Sequence, residues 1–278
     1  MRFLMFPLFV LALLLSVVTS ATAKETAFER IQRTQTIRCG YVTYPPYVSK
    51  NLETGKFEGI IVDVMNAAGK ELGYDIQWTQ EVGYADFAEG MKTGRYDMFC
   101  QVLAGTPPRS KVAYFTEPLW HEGFYVYTRA GEKKRFQTKA DINDPSTTII
   151  GIDGEIFQLL GRKYFPKAKE MSLPNMTAPS DLFMSVATGK ADIVFHGHVT
   201  YSRYAKNNPS QLVRALNEPI IVLPCSLALP LGDNELQQMM NLTFEQLYRG
   251  NIIQDILAKY HLPEDVVFRR YLPYVVPK

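Results

Sequence analysis

The chain has 278 residues, of which 46% are hydrophobic, 12% aromatic and 21% charged. This composition is that of an ordinary globular protein, and it excludes disorder, a collagen-like repeat and a coiled coil. Thirty basic and 28 acidic residues give a formal net charge of +2, which provides no basic excess for binding nucleic acid through its phosphates. The 3 cysteines match no metal-ligand spacing, and we predict neither a metal site nor a cofactor.

Residues 1–23 are typical of a secretory signal peptide. Arg2 supplies a positive charge, residues 3–18 are almost continuously apolar, and Ala21-Thr22-Ala23 has the small-residue form of a cleavage site. The apolar run is shorter than the roughly 20 residues needed to span a bilayer. We therefore predict cleavage after Ala23, a periplasmic location and no membrane insertion of the mature chain.

Strand and helix patterns alternate along the mature chain. We predict strands over residues 37–41, 75–79, 96–101, 147–152 and 191–195. We predict helices over residues 61–72, 84–93, 155–164, 180–188, 235–249 and 252–260. Strands separated by helices indicate crossover connections and mostly parallel sheets in an α/β fold.

Two junctions between a helix and a strand share one residue order. Residues 93–97 read Thr-Gly-Arg-Tyr-Asp, and residues 188–192 read Thr-Gly-Lys-Ala-Asp. Glycine commonly ends helices, so one such echo also has a purely local explanation. The shared order favours two similar lobes: lobe 1 from residues 24–123 and 222–278, and lobe 2 from residues 124–221, inserted into it.

The segments that follow the predicted strands are the candidate site. In open α/β sheets, ligands bind beyond the carboxyl ends of the strands, and two facing lobes create a cleft between them. The segments concerned are residues 42–47, 101–109, 153–157 and 196–200.

Several motifs of the chain, taken in order, resemble a known family. They include Tyr44-Pro45-Pro46-Tyr47, Gly55-Lys56-Phe57-Glu58-Gly59, Thr106-Pro107-Pro108-Arg109 and Gly232-Asp233-Asn234-Glu235. The chain is similar to the extracellular solute-binding proteins of family 3, the amino-acid-type periplasmic receptors of ABC importers. The resemblance implies a two-lobed periplasmic-binding-protein fold of type II, with a mostly parallel, helix-flanked sheet in each lobe and two hinge crossings. It also implies a non-enzymatic role, in which lobe closure captures a small solute for delivery to a membrane permease.

The resemblance and the residue chemistry together give eight candidate ligand contacts: Tyr44, Tyr84, Ala104, Thr106, Arg109, Glu155, His196 and His198. A guanidinium binds a carboxylate through two parallel hydrogen bonds. The resemblance places Arg109 at the ligand carboxylate, with Thr106 supporting its loop. It places Tyr44 and Tyr84 as walls against the ligand, with core packing as the alternative for both.

The chain departs from the family pattern at three places. Val102 and Ala104 stand where the family has small hydroxyl residues, and Glu155 stands in the Gly-Thr-Thr-like helix start. His196 and His198 lie where the family has an Asp for the ligand ammonium, and a structural or metal-binding role is the alternative for them. These departures argue against a standard α-amino acid and favour a related carboxylate-bearing solute.

Three further questions stay open from the sequence. The same architecture hosts enzymes resembling the cyclohexadienyl dehydratases, in which Glu155 or His196 would be a general acid or base. A sensor, rather than a permease, is the alternative partner of the closed form. Cys39 and Cys100 either pair in the oxidising periplasm or remain buried thiols. We expect a monomer.

Overall fold

The computed structural model describes residues 24–262 and 267–268. The predicted signal peptide lies outside the described residues, as do residues 263–266 and 269–278 of the predicted lobe 1. Within the described part, no helix is both long enough and apolar enough to cross a membrane.

The described residues form an alternating series of helices and strands. The helices are α1 (Ala27–Thr34), α2 (Ile60–Leu72), α3 (Phe87–Thr93), α4 (Lys139–Ile142), α5 (Ile156–Tyr164), α6 (Pro179–Ala187), α7 (His198–Asn207), α8 (Asn234–Arg249) and α9 (Ile252–Lys259). The strands are β1 (Thr36–Tyr41), β2 (Ser49–Lys50), β3 (Phe57–Glu58), β4 (Asp75–Glu81), β5 (Met98–Leu103), β6 (Ala113–Phe115), β7 (Trp120–Arg129), β8 (Thr148–Ile152), β9 (Lys169–Leu173), β10 (Ile193–Gly197), β11 (Leu212–Arg214), β12 (Ile221–Pro230) and β13 (Val267–Phe268).

Helix α2 shows how the sequence specifies these elements. Ile61, Val64, Met65 and Ala68 recur at helical spacing and are all buried. Gly73 ends the helix with φ +71°, a left-handed conformation that glycine adopts without steric cost. The helix therefore agrees with the prediction to within one residue. By contrast, α3 begins at Phe87 and not at residue 84, because residues 84–86 form a turn.

The main sheet has two parallel halves joined by two long antiparallel strands. The strand order is β4-β1-β5-β12-β7-β10-β8-β9. The β4-β1-β5 and β10-β8-β9 neighbours are parallel, whereas β12 is antiparallel to both β5 and β7. From here on, lobe 1 denotes the part built on β4, β1 and β5, and lobe 2 the part built on β10, β8 and β9. The mixed α/β fold with two mostly parallel lobes is confirmed.

The chain passes between the lobes in β7 and β12. The N-terminal half of β12, Ile221–Cys225, pairs with β7, and Ser226 and Ala228 pair with β5. Separate hydrophobic cores lie in the two lobes, one around Phe99 and Phe244 and others around Phe195 and Phe183. The exact boundaries at residues 123/124 and 221/222 stay a prediction.

The repeated Asp of the sequence echo has the same role in both lobes. Asp97 accepts a hydrogen bond at 2.7 Å from the backbone N–H of Arg38, the third residue of β1. Asp192 accepts one at 2.8 Å from the backbone N–H of Thr148, at the start of β8. Each carboxylate therefore ties its own junction to the adjacent parallel strand.

A disulfide joins two central strands of lobe 1. The sulfurs of Cys39 in β1 and Cys100 in β5 are 1.95 Å apart, with the Cα atoms at 5.3 Å. Both residues are fully buried, so the bond lies inside the lobe 1 core. Cys225 is a free, buried thiol. Of the two sequence-based alternatives for Cys39 and Cys100, the structure contains the disulfide.

Candidate functional site

A cavity lies between the lobes at the carboxyl ends of their parallel strands. It is lined from lobe 1 by Tyr44, Tyr47, Tyr84, Ala104 and Arg109, from lobe 2 by Glu155, Phe157, His196, Gly197 and Thr200, and from the crossing strands by Glu122 of β7 and Cys225 of β12. Six of the eight predicted contacts therefore meet in one place. This is the position that the strand–turn pattern indicated.

Arg109 follows β5 and begins a single 3₁₀ turn after Thr106-Pro107-Pro108. Its side chain bridges the lobes: Nη1 donates to the carbonyl of Ala104 at 3.2 Å, and Nη2 donates to the carbonyl of Gly154 at 3.3 Å. The residue is 8% exposed. Burial lowers the pKa of Arg109, while Tyr84 and Glu155 oppose this effect. The site therefore holds a buried cation whose two acceptors are uncharged.

Glu155 occupies the N-cap position of α5 directly after Gly154, makes no side-chain capping hydrogen bond, and is 3% exposed. Its Oε2 atom is buried and has no hydrogen-bond partner. Burial raises the pKa of Glu155 to about 8, although a hydrogen bond with Tyr44 and the charge of Arg109 act in the opposite direction. The side chain is thus a largely protonated acid at neutral pH, with one oxygen available in the cavity.

Tyr44 and His196 meet across the cavity. The Tyr44 hydroxyl lies 2.6 Å from Nε2 of His196, and the two rings stack at 6.0 Å. Nδ1 of His196 is 3.3 Å from the carbonyl oxygen of Gly197. Burial lowers the pKa of His196 to about 4, so the ring is neutral near pH 7. Because a carbonyl only accepts, Nδ1 carries the proton and Nε2 accepts from Tyr44.

Glu122 is a site residue that the sequence analysis missed. Its Oε2 accepts from the Tyr47 hydroxyl at 2.5 Å, and its Oε1 accepts from the backbone N–H of Val199 at 3.0 Å. Burial raises the pKa of Glu122 to about 7, with both hydrogen bonds lowering it. Glu122 is the single acidic residue in an otherwise largely apolar strand, and an isolated acid in such a strand could have identified it as a candidate site residue. Its position two residues into β7, not after a strand end, explains why it was overlooked.

Aromatic side chains form the remaining walls. The Tyr84 ring contacts the edge of Tyr44 at a centroid distance of 5.7 Å, and its hydroxyl is 3.5 Å from the carbonyl of Val102. Phe157, which the sequence analysis did not select, lies 4.4 Å from the His196 ring. The cavity therefore combines one cation and two acids with largely apolar surroundings.

Thr106 and His198 do not line the cavity. The Thr106 hydroxyl accepts from the backbone N–H of Arg109 at 3.5 Å, which agrees with a role in supporting the loop. His198 begins α7, and its Nδ1 lies 2.8 Å from the Tyr127 hydroxyl in an aromatic cluster of lobe 2. The expected extended path through His196 and His198 is wrong, because the strand ends at Gly197. Within residues 24–262 and 267–268, no group of three or more His, Cys, Asp or Glu side chains is arranged to hold a metal ion.

Comparisons with known proteins give one family and one fold. Residues 37–263 match the model of the bacterial extracellular solute-binding proteins, family 3. The chain is 28% identical to cyclohexadienyl dehydratase of Pseudomonas aeruginosa over 190 residues, which is 66% of each protein. It is 24% identical to ABC transporter arginine-binding protein 1 of Escherichia coli over 168 residues, 60% of this chain and 65% of that one. The matches span slightly less than two thirds of these curated relatives.

Solved structures share the architecture over a larger part of the chain. The ancestral amino acid-binding protein AncCDT-1, a precursor of cyclohexadienyl dehydratase, superposes with a TM-score of 0.75 at 22% identity, covering 84% of this chain and 99% of that one. The cysteine-binding protein from Campylobacter jejuni superposes with a TM-score of 0.75 at 18% identity, covering 88% and 100%. At these identities the likeness shows the fold alone.

Proposed function

The chain belongs to the bacterial extracellular solute-binding proteins of family 3, and we propose that it captures a small carboxylate-bearing solute between its lobes for delivery to the permease of an ABC importer. The solute is an amino acid or a related organic acid. Binding is reversible and involves no chemical change of the solute. The similarity to ABC transporter arginine-binding protein 1 of Escherichia coli supports this role.

Arg109 is the observation that carries the proposal. A guanidinium has five N–H donors, and two carbonyl oxygens occupy only part of this set. A solute carboxylate would supply the missing counter-charge in a site from which water is largely excluded. Charge-assisted pairs of this kind are the strong hydrogen bonds of protein interiors.

Contacts from both lobes support capture by closure. Arg109 reaches the carbonyl of Gly154, Tyr44 reaches His196, and at the rim Asn175 donates to Asp86 at 3.0 Å. A solute that touches both lobes binds the closed arrangement more tightly than the open one, and only this difference in affinity shifts the equilibrium. A permease, or alternatively a sensor, would recognise the closed form.

Calorimetry with a panel of amino acids and organic acids tests the proposal. For any solute that binds, Arg109→Ala should cost about 2–5 kcal/mol, which corresponds to a loss in affinity of roughly 30-fold or more. Arg249→Ala is the matched control, because the Arg249 side chain is 74% exposed on α8. An Arg109→Ala variant that binds every solute as tightly as the wild type would place the carboxylate elsewhere.

A second candidate function is acid catalysis of the dehydratase type. The observation that favours it is Glu155, a buried acid whose pKa is raised to about 8 beside the Arg109 cation. A dehydratase needs a protonated group near neutral pH that can give its proton to a departing hydroxyl, which then leaves as water. Incubation of the purified protein with prephenate or arogenate tests this function. Turnover that Glu155→Gln abolishes would establish the enzyme, whereas no turnover would leave binding alone.

A further inference from the structure

We infer, building on the proposed function, that Phe157 limits the length of the apolar side chain that the solute can carry. In this arrangement the Phe157 ring forms a partition between the ligand cavity and a second cavity inside lobe 2. The solute is then a carboxylate with a short apolar side chain, and removal of the ring opens a path for longer side chains.

Phe157 is part of the wall that lobe 2 contributes to the ligand cavity. It lies in the first turn of α5, two residues after Glu155. The centroid of its ring is 4.4 Å from that of His196 and 5.0 Å from that of Phe124. Both neighbouring rings also line the ligand cavity. The Phe157 ring is therefore held in place by contacts with other residues of the same wall.

The wall next to Phe157 is apolar. Phe124 and Leu223 line the ligand cavity and belong to one hydrophobic cluster, against which Phe157 packs. None of these three side chains offers a charge or a hydrogen bond. A polar group of the solute placed against them would lose its hydration without a replacement. The part of the solute that contacts this wall is therefore apolar.

The ligand cavity in front of Phe157 is small. Its volume is about 50 Å³, and a cavity needs roughly 10–15 Å³ to hold one water molecule. The closed cavity therefore has room for a carboxylate and only a few further atoms. A solute with a longer side chain needs space beyond the wall.

A second cavity lies behind Phe157, between α5 and the strands β8 and β9. Its volume is about 250 Å³, and Ile149, Gly151 and Phe165 are among the residues that line it. Of the described residues that line either cavity, Phe157 alone lines both. One aromatic side chain therefore separates a small ligand cavity from a larger space next to it.

Gly161 leaves the space behind the Phe157 ring open. It lies four residues after Phe157, on the same face of α5, and the side chains of a helix lean toward its N-terminus. A side chain at Gly161 would therefore extend toward Phe157 and into the second cavity, which Gly161 also lines. A Cβ atom there would lie 3.9 Å from Cγ2 of Ile149, which is an ordinary contact distance. The position can therefore be used to refill the second cavity.

Calorimetry with two homologous series tests the inference. The probes are acetate, propionate, butyrate, valerate and hexanoate, and the amino acids glycine, L-alanine, L-2-aminobutyrate, L-norvaline and L-norleucine. Each methylene buried against the apolar wall should strengthen binding about fourfold, until the chain reaches Phe157. In the series that binds, we expect wild-type affinity to peak before the longest member, which should bind at least 10-fold more weakly than the best one.

Substitutions in α5 test the partition itself. In Phe157→Ala, affinity for the longest member should rise at least 10-fold relative to the shortest, because its chain continues into the second cavity. Phe157→Leu keeps an apolar side chain in the wall and should shift the order of affinities in the same direction by less. Gly161→Leu, added to Phe157→Ala, refills the second cavity and should cancel the gain. Leu159→Ala, 43% exposed on the same helix, is the control and should retain the wild-type order.

The outcomes distinguish this inference from the proposed function. Wild-type binding that tightens up to the longest member would overturn the inference, as would an unchanged order in Phe157→Ala and Phe157→Leu or a gain that Gly161→Leu does not cancel. If Arg109→Ala leaves every affinity unchanged while Phe157→Ala shifts their order, the carboxylate site fails and the partition stands. If neither series binds to the wild type or to Phe157→Ala, the inference fails, and the wider panel of the preceding section decides on the proposed function.

Discussion

The Tyr44 hydroxyl lies 2.6 Å from Nε2 of His196, and this hydrogen bond joins the loop after β1 to the end of β10. The two residues are 152 positions apart in sequence, and each belongs to a different lobe. Tyr44 is 4% exposed and His196 is 1% exposed, so water does not replace either partner if the other is removed. The hydrogen bond therefore holds the two lobes together at the cavity.

Tyr44→Phe should lower the stability of the fold without disturbing the packing of the aromatic ring. The substitution leaves the buried Nε2 acceptor of His196 without its hydrogen-bond partner, which typically costs about 1–3 kcal/mol. We expect a decrease of that size in the free energy of unfolding, measured by urea denaturation. Tyr114→Phe is the control, because that ring is only half-buried in β6, and its effect should remain within about 0.5 kcal/mol. Equal stabilities of the two variants would contradict the assigned bond.

The buried acids of the cavity should make stability depend on pH. The pKa of Glu155 is raised to about 8 and that of Glu122 to about 7, so the folded state binds more protons than the unfolded state above pH 4.5. The stabilisation that the two protonated carboxyls contribute is fully present below the ordinary pKa of a glutamate. It is lost as the pH rises through the raised pKa values. His196, with its pKa lowered to about 4, acts oppositely, but only between about pH 4 and 6.5. Between pH 6.5 and 8 the acids dominate.

We therefore expect the free energy of unfolding to fall by about 1–2 kcal/mol between pH 6.5 and 8, measured by denaturant titration. Glu155→Gln removes the larger contribution and should flatten this decrease. Glu71→Gln, an exposed substitution in α2, should follow the wild-type curve. A wild-type stability that stays constant or rises over this interval would contradict the raised pKa values of the two carboxyls.

Part of the site could be predicted from the sequence because it depends on local chain geometry. Arg109, Glu155 and His196 each lie at or just after the end of a predicted strand, and parallel strands bring those ends to one edge of a sheet. Glu122 has no such local rule. It reaches the cavity because β7 pairs antiparallel with β10, in a register that places Phe124 opposite Gly197. That long-range register is not encoded in any spacing visible within β7.

His198 shows the opposite limit of sequence reasoning. The alternation of His196 and His198 predicted two imidazoles on one side of a strand, as in any extended segment. Gly197 ends β10, however, and α7 begins at the next residue. The helical turn directs His198 to Tyr127, while His196 stays in the cavity. A strand-to-helix boundary misplaced by a single residue was enough to assign the second ring to the wrong surroundings.

The Cys39–Cys100 disulfide should stabilise lobe 1 by constraining the unfolded chain. It closes a segment with a sequence separation of 61, for which loop entropy gives about 4 kcal/mol. The Cys39→Ala/Cys100→Ala double variant should lose about this amount in urea denaturation and become insensitive to added reductant. Cys225→Ala, which removes the free thiol, should retain the reductant response of the wild type. A reductant response that persists in the double variant would rule out this bond as its source.

The absence of a side chain at Gly154 should be required for lobe closure, in addition to allowing the left-handed backbone conformation of this residue. Its φ of +82° is left-handed, and a Cβ atom there would lie 2.8 Å from Cβ of Ala85 in the opposite lobe. Gly94→Ala is a matched control, because Gly94 has φ +75° and nothing within 4 Å of the added Cβ. Both variants should lose about 1 kcal/mol of stability from the left-handed backbone. Only Gly154→Ala should also weaken solute binding, because the added methyl group would push Ala85 of lobe 1 away from Gly154 of lobe 2. X-ray scattering should then show less compaction on adding solute than it shows for the wild type. Identical binding and compaction in the two variants would mean that the lobes do not meet at Gly154 in the closed state.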